Sequence, residues 1–332
     1  MRRPLPLIAG AGFLALVIAL TALASAGGAR HLGHSAPSAD TTTALSRLWA
    51  VPPVEVAAIL LAAVAYWGFT RRFGGVSGLR QVSFYSGLAL ILAAVCSPLG
   101  GIAQQGLLTA HMLQHTLIGA VAPLLLLLGM PESLLQHLPE RWRRRIQRVQ
   151  NPLVAFPLWA LTTIVWLLPV IHDAVLENGA LWIAQQASFL IFGLLLWAPV
   201  VESLPAPDWF GTGWKVVYMN GVWFLGLAIA NVYWFSGTAF YSGHAAAAAA
   251  WGVDPLEDQA NSGTVMMLSH CLLAFSAITI LFFRQAREGD LRQRLLEAGL
   301  DRASVENATR RGTAEALARL HGIPVRTRAG MD

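Results

Sequence analysis

Charge is what this chain has least of: 23 basic and 18 acidic side chains among 332 residues, 12% in all, against 55% apolar. Soluble domains carry about a quarter charged residues, so the two soluble domains that the length alone would suggest are excluded. Cysteine is nearly absent, with two residues and no C-x-x-C or C-x-C motif. That excludes a disulfide scaffold and a thiolate copper centre of the usual kind. The apolar content excludes intrinsic disorder, and no collagen-like repeat is present. Period-two alternation is missing, which excludes an outer-membrane barrel. There is no nucleic-acid motif, and no internal repeat of the kind that marks many transporters. What remains is an all-α polytopic membrane protein, with a mean hydropathy of +0.55.

A helix needs about 20 largely apolar residues to cross the hydrocarbon. Eight runs meet that need, at 5–24, 54–70, 82–98, 107–129, 153–170, 181–200, 215–235 and 264–283. Trp67, Trp166, Trp182, Trp197, Trp214 and Trp234 lie near their ends, where an interfacial aromatic belt would place them. Orientation comes from the basic residues. If the runs alternate across the bilayer, 21 of the 23 basic residues fall on one side, and only Arg30 and Arg47 on the other. By the positive-inside rule, the arginine-rich connections and the C-terminus are cytoplasmic.

The layout is therefore a transmembrane bundle of seven core helices over 54–284, behind an N-terminal segment, 1–26. Arg2-Arg3, an apolar stretch and Ala24-Ser25-Ala26 fit a cleaved signal peptide or an uncleaved anchor helix. Residues 27–53 form a polar outer linker carrying His31 and His34, and 285–332 a basic cytoplasmic tail. In the tail, Leu291, Leu295, Leu296 and Leu300 recur at helical spacing, as do Ala314, Leu317 and Leu320. Two short amphipathic helices are expected there, lying on the bilayer or on a partner, with the arginines against anionic headgroups.

Few ionisable groups lie within the core runs, and those at membrane depth mark function by default. His111 and His115 lie in the 107–129 run, His270 and Cys271 in the last run, and Cys96 at the end of the 82–98 run. His111 and His115 share one helix face because positions i and i+4 align. His115 is expected roughly 12 Å below the outer end of its helix, and His270 roughly 9 Å. Met112, Met266 and Met267 belong to the same layer. Imidazole suits copper, zinc, iron and nickel, while sulfur ligands favour Cu(I). The metalloprotease helix motif also pairs histidines at i and i+4, but its glutamate is missing from His111-Met112-Leu113-Gln114-His115, so zinc hydrolysis is excluded and no enzyme is expected. The outer segment from Ser236 to Ser262 adds Asp254, Glu257 and Asp258 without a basic residue, either as a solvated acidic loop or as an attractor for a cation or basic partner.

The same residues resemble a known family, the CtaG-type integral-membrane assembly factors of caa-type cytochrome c oxidase. The matching stretch is His111-Met112-Leu113-Gln114-His115, followed by the apolar run through Pro123 to Gly129-Met130-Pro131. Further similar features are Leu168-Pro169 with His172, Trp197-Ala198-Pro199-Val200, and Asp254-Pro255-Leu256-Glu257-Asp258-Gln259 followed by Gly263. The resemblance covers roughly residues 50 to 285. It implies an assembly role for haem-copper oxidase in the bacterial inner membrane, with copper handling on the outer face. It carries the histidine pattern onto His111, His115 and His172. One departure is Ala184-Gln185-Gln186-Ala187, where relatives often have histidines.

The resulting expectation is a Cu(I) site ligated by His111, His115 and His270, completed by Cys271, Met267 or Cys96, with His172 nearby. The implied partners are oxidase subunits, other copper chaperones and the bilayer. Histidines on two helices at equal depth also fit a bis-imidazole haem b in an electron-transfer protein. A chaperone without metal would explain the Gln185-Gln186 departure. A permease fits poorly, because midplane charges and repeats are missing.

Overall fold

The computed structural model describes residues 48–49, 51–73, 76–131, 139–202, 207, 209–310 and 314–324. The N-terminal signal or anchor and nearly all of the outer linker, with His31 and His34, lie outside the described residues. Among the described residues the protein is helical and contains no strand.

Several helix starts coincide with short polar residues that cap free N–H groups. After α1 (Pro53–Phe73), Ser77 caps α2 (Gly78–Cys96). A short helix, α3 (Pro98–Gln104), leads into a composite span. That span consists of α4 (Leu108–Thr116), a π-helical turn (Leu117–Val121) and α5 (Ala122–Leu128). The arginine-rich α6 (Glu140–Val149) follows; then Asn151 caps α7 (Pro152–Trp166) and, after α8 (Pro169–Glu177), Asn178 caps α9 (Gly179–Val201). The remaining helices are α10 (Thr212–Phe235), α11 (Ser242–Ala250), α12 (Pro255–Glu297), α13 (Arg302–Arg310) and α14 (Ala314–Leu320).

Six spans among the described residues are long and apolar enough to cross a membrane; the α7–α8 pair makes seven if it counts as one broken span. The pair bends by 69° at the break. The sequence reads through this point as a continuous run, but Pro169 has no N–H to extend the ladder. The last run is also longer than its apolar stretch, because Asp254 caps the start of α12 by accepting from Leu256 N at 2.8 Å and Glu257 N at 3.1 Å. The outer segment expected to be an acidic loop thus contains α11 and the first turns of α12.

The chain divides into two compact units, Met1–Pro205 with Phe224–His270, and Ala206–Trp223 with Cys271–Asp332. In the first, α2 packs on α5, and α9 packs on α7, α5 and the π-helical turn. Tyr66, Phe84, Leu88, Ile91, Ile118 and Leu126 build its main apolar core. The crossing of α9 over the π turn is tight: a Cβ on Gly193 would stand 2.0 Å from the Gly119 carbonyl oxygen. A π turn interrupts the regular ladder, and the Trp197 indole donates to the Ala120 carbonyl at 2.9 Å. Trp197 is thus a buried hydrogen-bond donor, not a member of a lipid-facing belt.

In the second unit the tail makes a core of its own. Leu295, Val305, Ala314 and Ala318 are buried together, with Leu291, Leu296, Leu300 and Leu317 around them. Arg292 and Arg302 both meet Glu306, at 3.0 and 3.1 Å. The leucines expected to face a bilayer or a partner are therefore spent mostly on each other. Leu320, 82% exposed, is the exception.

The crossing at Gly193 yields a direct test. Gly193→Ala should destabilise the protein by the cost of overpacking, about 1–3 kcal/mol, read as a lower melting temperature in detergent. Gly68→Ala, with open space around it, should leave melting unchanged or raise it slightly. Equal melting of both variants would contradict the close backbone approach.

A buried imidazole cluster as candidate metal centre

Four histidines meet in the first unit. The His111 ring centre lies 4.2 Å from His115, 5.0 Å from His172 and 5.4 Å from His244, and His172 lies 4.9 Å from His244. None is more than 6% exposed. Trp182 packs on His111 at 4.9 Å and Phe189 on His115 at 4.4 Å, so two walls are aromatic. Tyr241 packs against His172 and His244.

The local backbone explains how two of the rings are held. Breaking the helix before Pro169 frees carbonyls that a continuous ladder would have used. The Trp166 carbonyl accepts the His172 Nδ1–H at 2.9 Å, and the Leu167 carbonyl accepts the Tyr241 hydroxyl at 2.9 Å. His244 is held in the same way, its Nδ1–H donating at 2.6 Å to the carbonyl of Gly106. Gly106 has φ +91°, a left-handed conformation that suits glycine. A carbonyl can only accept, so each Nδ1 carries the proton and each Nε2 keeps a lone pair. Burial pushes the His244 imidazole down to about 4, against smaller opposing effects of the Gly106 carbonyl and Asp173. It is therefore neutral at physiological pH.

Two carboxylates from distant parts of the chain set the helices that carry the rings. Leu107 cannot cap α4 with its side chain. Asp258 does so instead, accepting from Leu108 N at 2.8 Å, Thr109 N at 3.0 Å and Thr109 Oγ1 at 2.6 Å. Asp173, next to His172, caps α11 by accepting from Ser242 N, Ser242 Oγ and Gly243 N at 3.0, 2.8 and 3.2 Å. Negative charge at a helix N-terminus also meets the favourable end of its dipole. The 2%-exposed Asp258 is thus a structural cap, neither a solvated acid nor a cation attractor.

Buried polar atoms nearly always have partners. Here no hydrogen bond of ordinary geometry reaches either nitrogen of His111 or of His115, or Nε2 of His172 and His244. Gln185 lies beside His111 and His115, yet neither of its amide atoms makes a hydrogen bond of ordinary geometry. Gln186 donates to Gln114 Oε1 at 3.0 Å, and Gln114 donates to the Ala94 carbonyl at 2.9 Å. With metal–nitrogen bonds of about 2.0–2.1 Å, imidazoles sharing one ion have ring centres roughly 5–5.5 Å apart. The His111, His172 and His244 rings stand near that spacing, at 5.0, 5.4 and 4.9 Å from one another. Among the described residues, however, no three His, Cys, Asp or Glu donors are gathered to ligating distance, so a shared ion would need the rings to turn.

The sequence-expected residues therefore separate. His111, His115 and His172 come together. His270 donates to the Met266 carbonyl at 2.7 Å and packs against Gly226, where a Cβ would meet its ring at 2.4 Å. Cys271 Sγ accepts from the Trp223 indole at 3.2 Å. Cys96 is a half-buried free thiol at the end of α2. Met267 is half-buried on α12, and its neighbour Met266 packs with Leu108, Met112, Tyr233 and Tyr241. His244 was not selected from the sequence, because it sits between apolar runs in a segment read as a loop. The usable signal was its place among the outer histidines, with Asp173 adjacent to His172.

A family model described as cytochrome c oxidase caa3 assembly factor matches residues 60–288. No curated protein and no solved structure matches the chain.

The capping geometry predicts that Asp258→Ala destabilises the protein by about 1–2 kcal/mol. Thermal melting in detergent checks this against exposed Glu257→Ala, which should have little effect. Equal melting of the two would remove Asp258 from its capping role.

Proposed function

The chain belongs to the cytochrome c oxidase caa3 assembly factor family, and we propose that it serves oxidase assembly by holding copper as cargo among His111, His115, His172 and His244. The observation that carries this reading is the pair of buried, unpartnered Nε2 atoms on His172 and His244, each fixed by a carbonyl at its Nδ1. Ligating histidines characteristically have their second nitrogen tied in this way. Neutral imidazoles also fit copper by donor type.

The proposed setting is the outer half of a bacterial inner membrane, with the C-terminus cytoplasmic. Support comes from the separation of charge and imidazole along the composite span. Arg80 Nη1 donates to the Met130 carbonyl at 3.1 Å, beyond the end of α5. His111 is near the other end of that span, on α4. Oxidase subunits and other copper chaperones are the proposed partners, and a handling role requires no catalytic turnover.

A haem b site has less support. It needs opposed imidazoles with a macrocycle between them; the clustered rings stand too close for that, and His270 is packed on Gly226.

Copper analysis of purified protein tests the proposal. Wild type loaded under anaerobic conditions should retain about one ion per chain, and a triple His111/His172/His244→Ala variant should retain almost none. In cells lacking the native protein, the triple variant should also fail to restore oxidase activity. Full oxidase activity with that variant would establish a metal-free chaperone instead.

A further inference from the structure

We infer that the cluster is a nitrogen-only cup for a monovalent ion, Cu(I), held by Nε2 of His172 and His244 and one nitrogen of His111, with no sulfur in the ligand set. This rests on the copper reading and narrows it. It replaces the mixed nitrogen and sulfur set expected from sequence.

The first argument is where the sulfurs are. Cys271 is engaged by the Trp223 indole, and Met112 and Met266 are in apolar packing with Leu108 and Tyr233. The atoms left without partners in the cluster are imidazole nitrogens and glutamine amide atoms. Of these, the Nε2 lone pairs of His172 and His244 are held in a fixed tautomer. His111 lies against both rings, and no hydrogen bond of ordinary geometry reaches its nitrogens, with the Gln185 amide beside it.

The second argument is charge. Buried imidazoles contribute no negative charge, and the neighbouring carboxylates, though Asp173 acts at a distance on His172 and His244, offer no oxygen as a ligand. Asp173 accepts three hydrogen bonds from the start of α11, and Asp258 accepts three from the start of α4. The ion's charge would stand uncompensated by any ligand. Its desolvation cost grows with the square of that charge, so a divalent ion costs about four times as much as a monovalent one. Zinc or Cu(II) would have to bring an anion such as hydroxide into the pocket. Cu(I) needs none, and its filled shell is content with three donors.

The third argument is spacing. The three rings stand at 5.0, 5.4 and 4.9 Å from one another, close to the roughly 5–5.5 Å of a shared ion. His115, at 4.2 Å from His111, is the odd member and stands outside the trigonal set. A set without thiolate holds Cu(I) less firmly than a sulfur site would, which suits passage to a tighter acceptor.

The test uses the full-length protein in detergent, loaded without oxygen with Cu(I), Ag(I), Zn(II) or Cu(II) in separate samples. Cu(I) and Ag(I) should bind and displace one another, and both divalent ions should bind much more weakly. X-ray absorption of the Cu(I) sample should show nitrogen scatterers alone. His172→Gln or His244→Gln should weaken Cu(I) by at least about tenfold. A Cys96→Ser, Cys271→Ser, Met267→Leu triple variant should bind as wild type does. Zinc or Cu(II) binding as tightly as Cu(I), or a sulfur scatterer in the unaltered protein, would overturn this inference while leaving a metal role intact. Failure of all four ions to bind would overturn the copper reading itself. The absorption measurement on wild type keeps the test valid if a histidine variant does not fold.

Discussion

A carbonyl released where a membrane helix breaks cannot turn to bulk water, and it must find a donor within the protein. In this protein the donor at the main break is an imidazole. The 69° bend between α7 and α8 frees the Trp166 and Leu167 carbonyls, and His172 and Tyr241 take them. Satisfying the backbone orients the ring, and the oriented ring leaves Nε2 with a lone pair and no donor to accept from. The same exchange recurs at Gly106, where a turn ahead of α4 offers its carbonyl to His244. The feature that makes the cluster chemically available is thus a by-product of closing the hydrogen-bond account around it.

The carboxylates extend this dependence. Asp258 and Asp173 are each committed to a helix N-terminus that has no side-chain cap of its own. Asp258 reaches α4 from about 150 residues away, as the sequence separations of 150 and 149 show. Asp173 reaches α11 from 69 and 70 residues away. Used as caps, these acids accept hydrogen bonds from helix starts, and no contact to the imidazole nitrogens is made by either.

Much of the fold was legible because its determinants are local. Low charge and apolar runs identify membrane helices, and a polar cap marks several of their starts. The break at Pro169 and the extension of α12 were missed, since hydropathy averages over a window and does not register where a ladder stops. Trp197 shows the same limit. Its position near a helix end suggested lipid, yet the π turn opposite supplies a carbonyl that draws the indole inward. At the site, His111 and His115 were found because i, i+4 spacing forces a shared face. His270 was grouped with them on depth alone. Depth carries no information about the direction a ring faces, and Gly226 makes room for that ring on another contact.

Composition and spacing, read by themselves, determined the membrane class, the approximate number of spans, the lopsided distribution of arginine and the His111/His115 pair. Those properties depend on counts and short periods, which survive without coordinates. Only the tertiary structure decided that His244 completes the cluster with His111, His115 and His172, that Cys271 serves another contact, and that Asp173 and Asp258 are caps. Each of those outcomes depends on which backbone group lies within about 3 Å of a side chain from a distant segment, and no local pattern encodes that proximity.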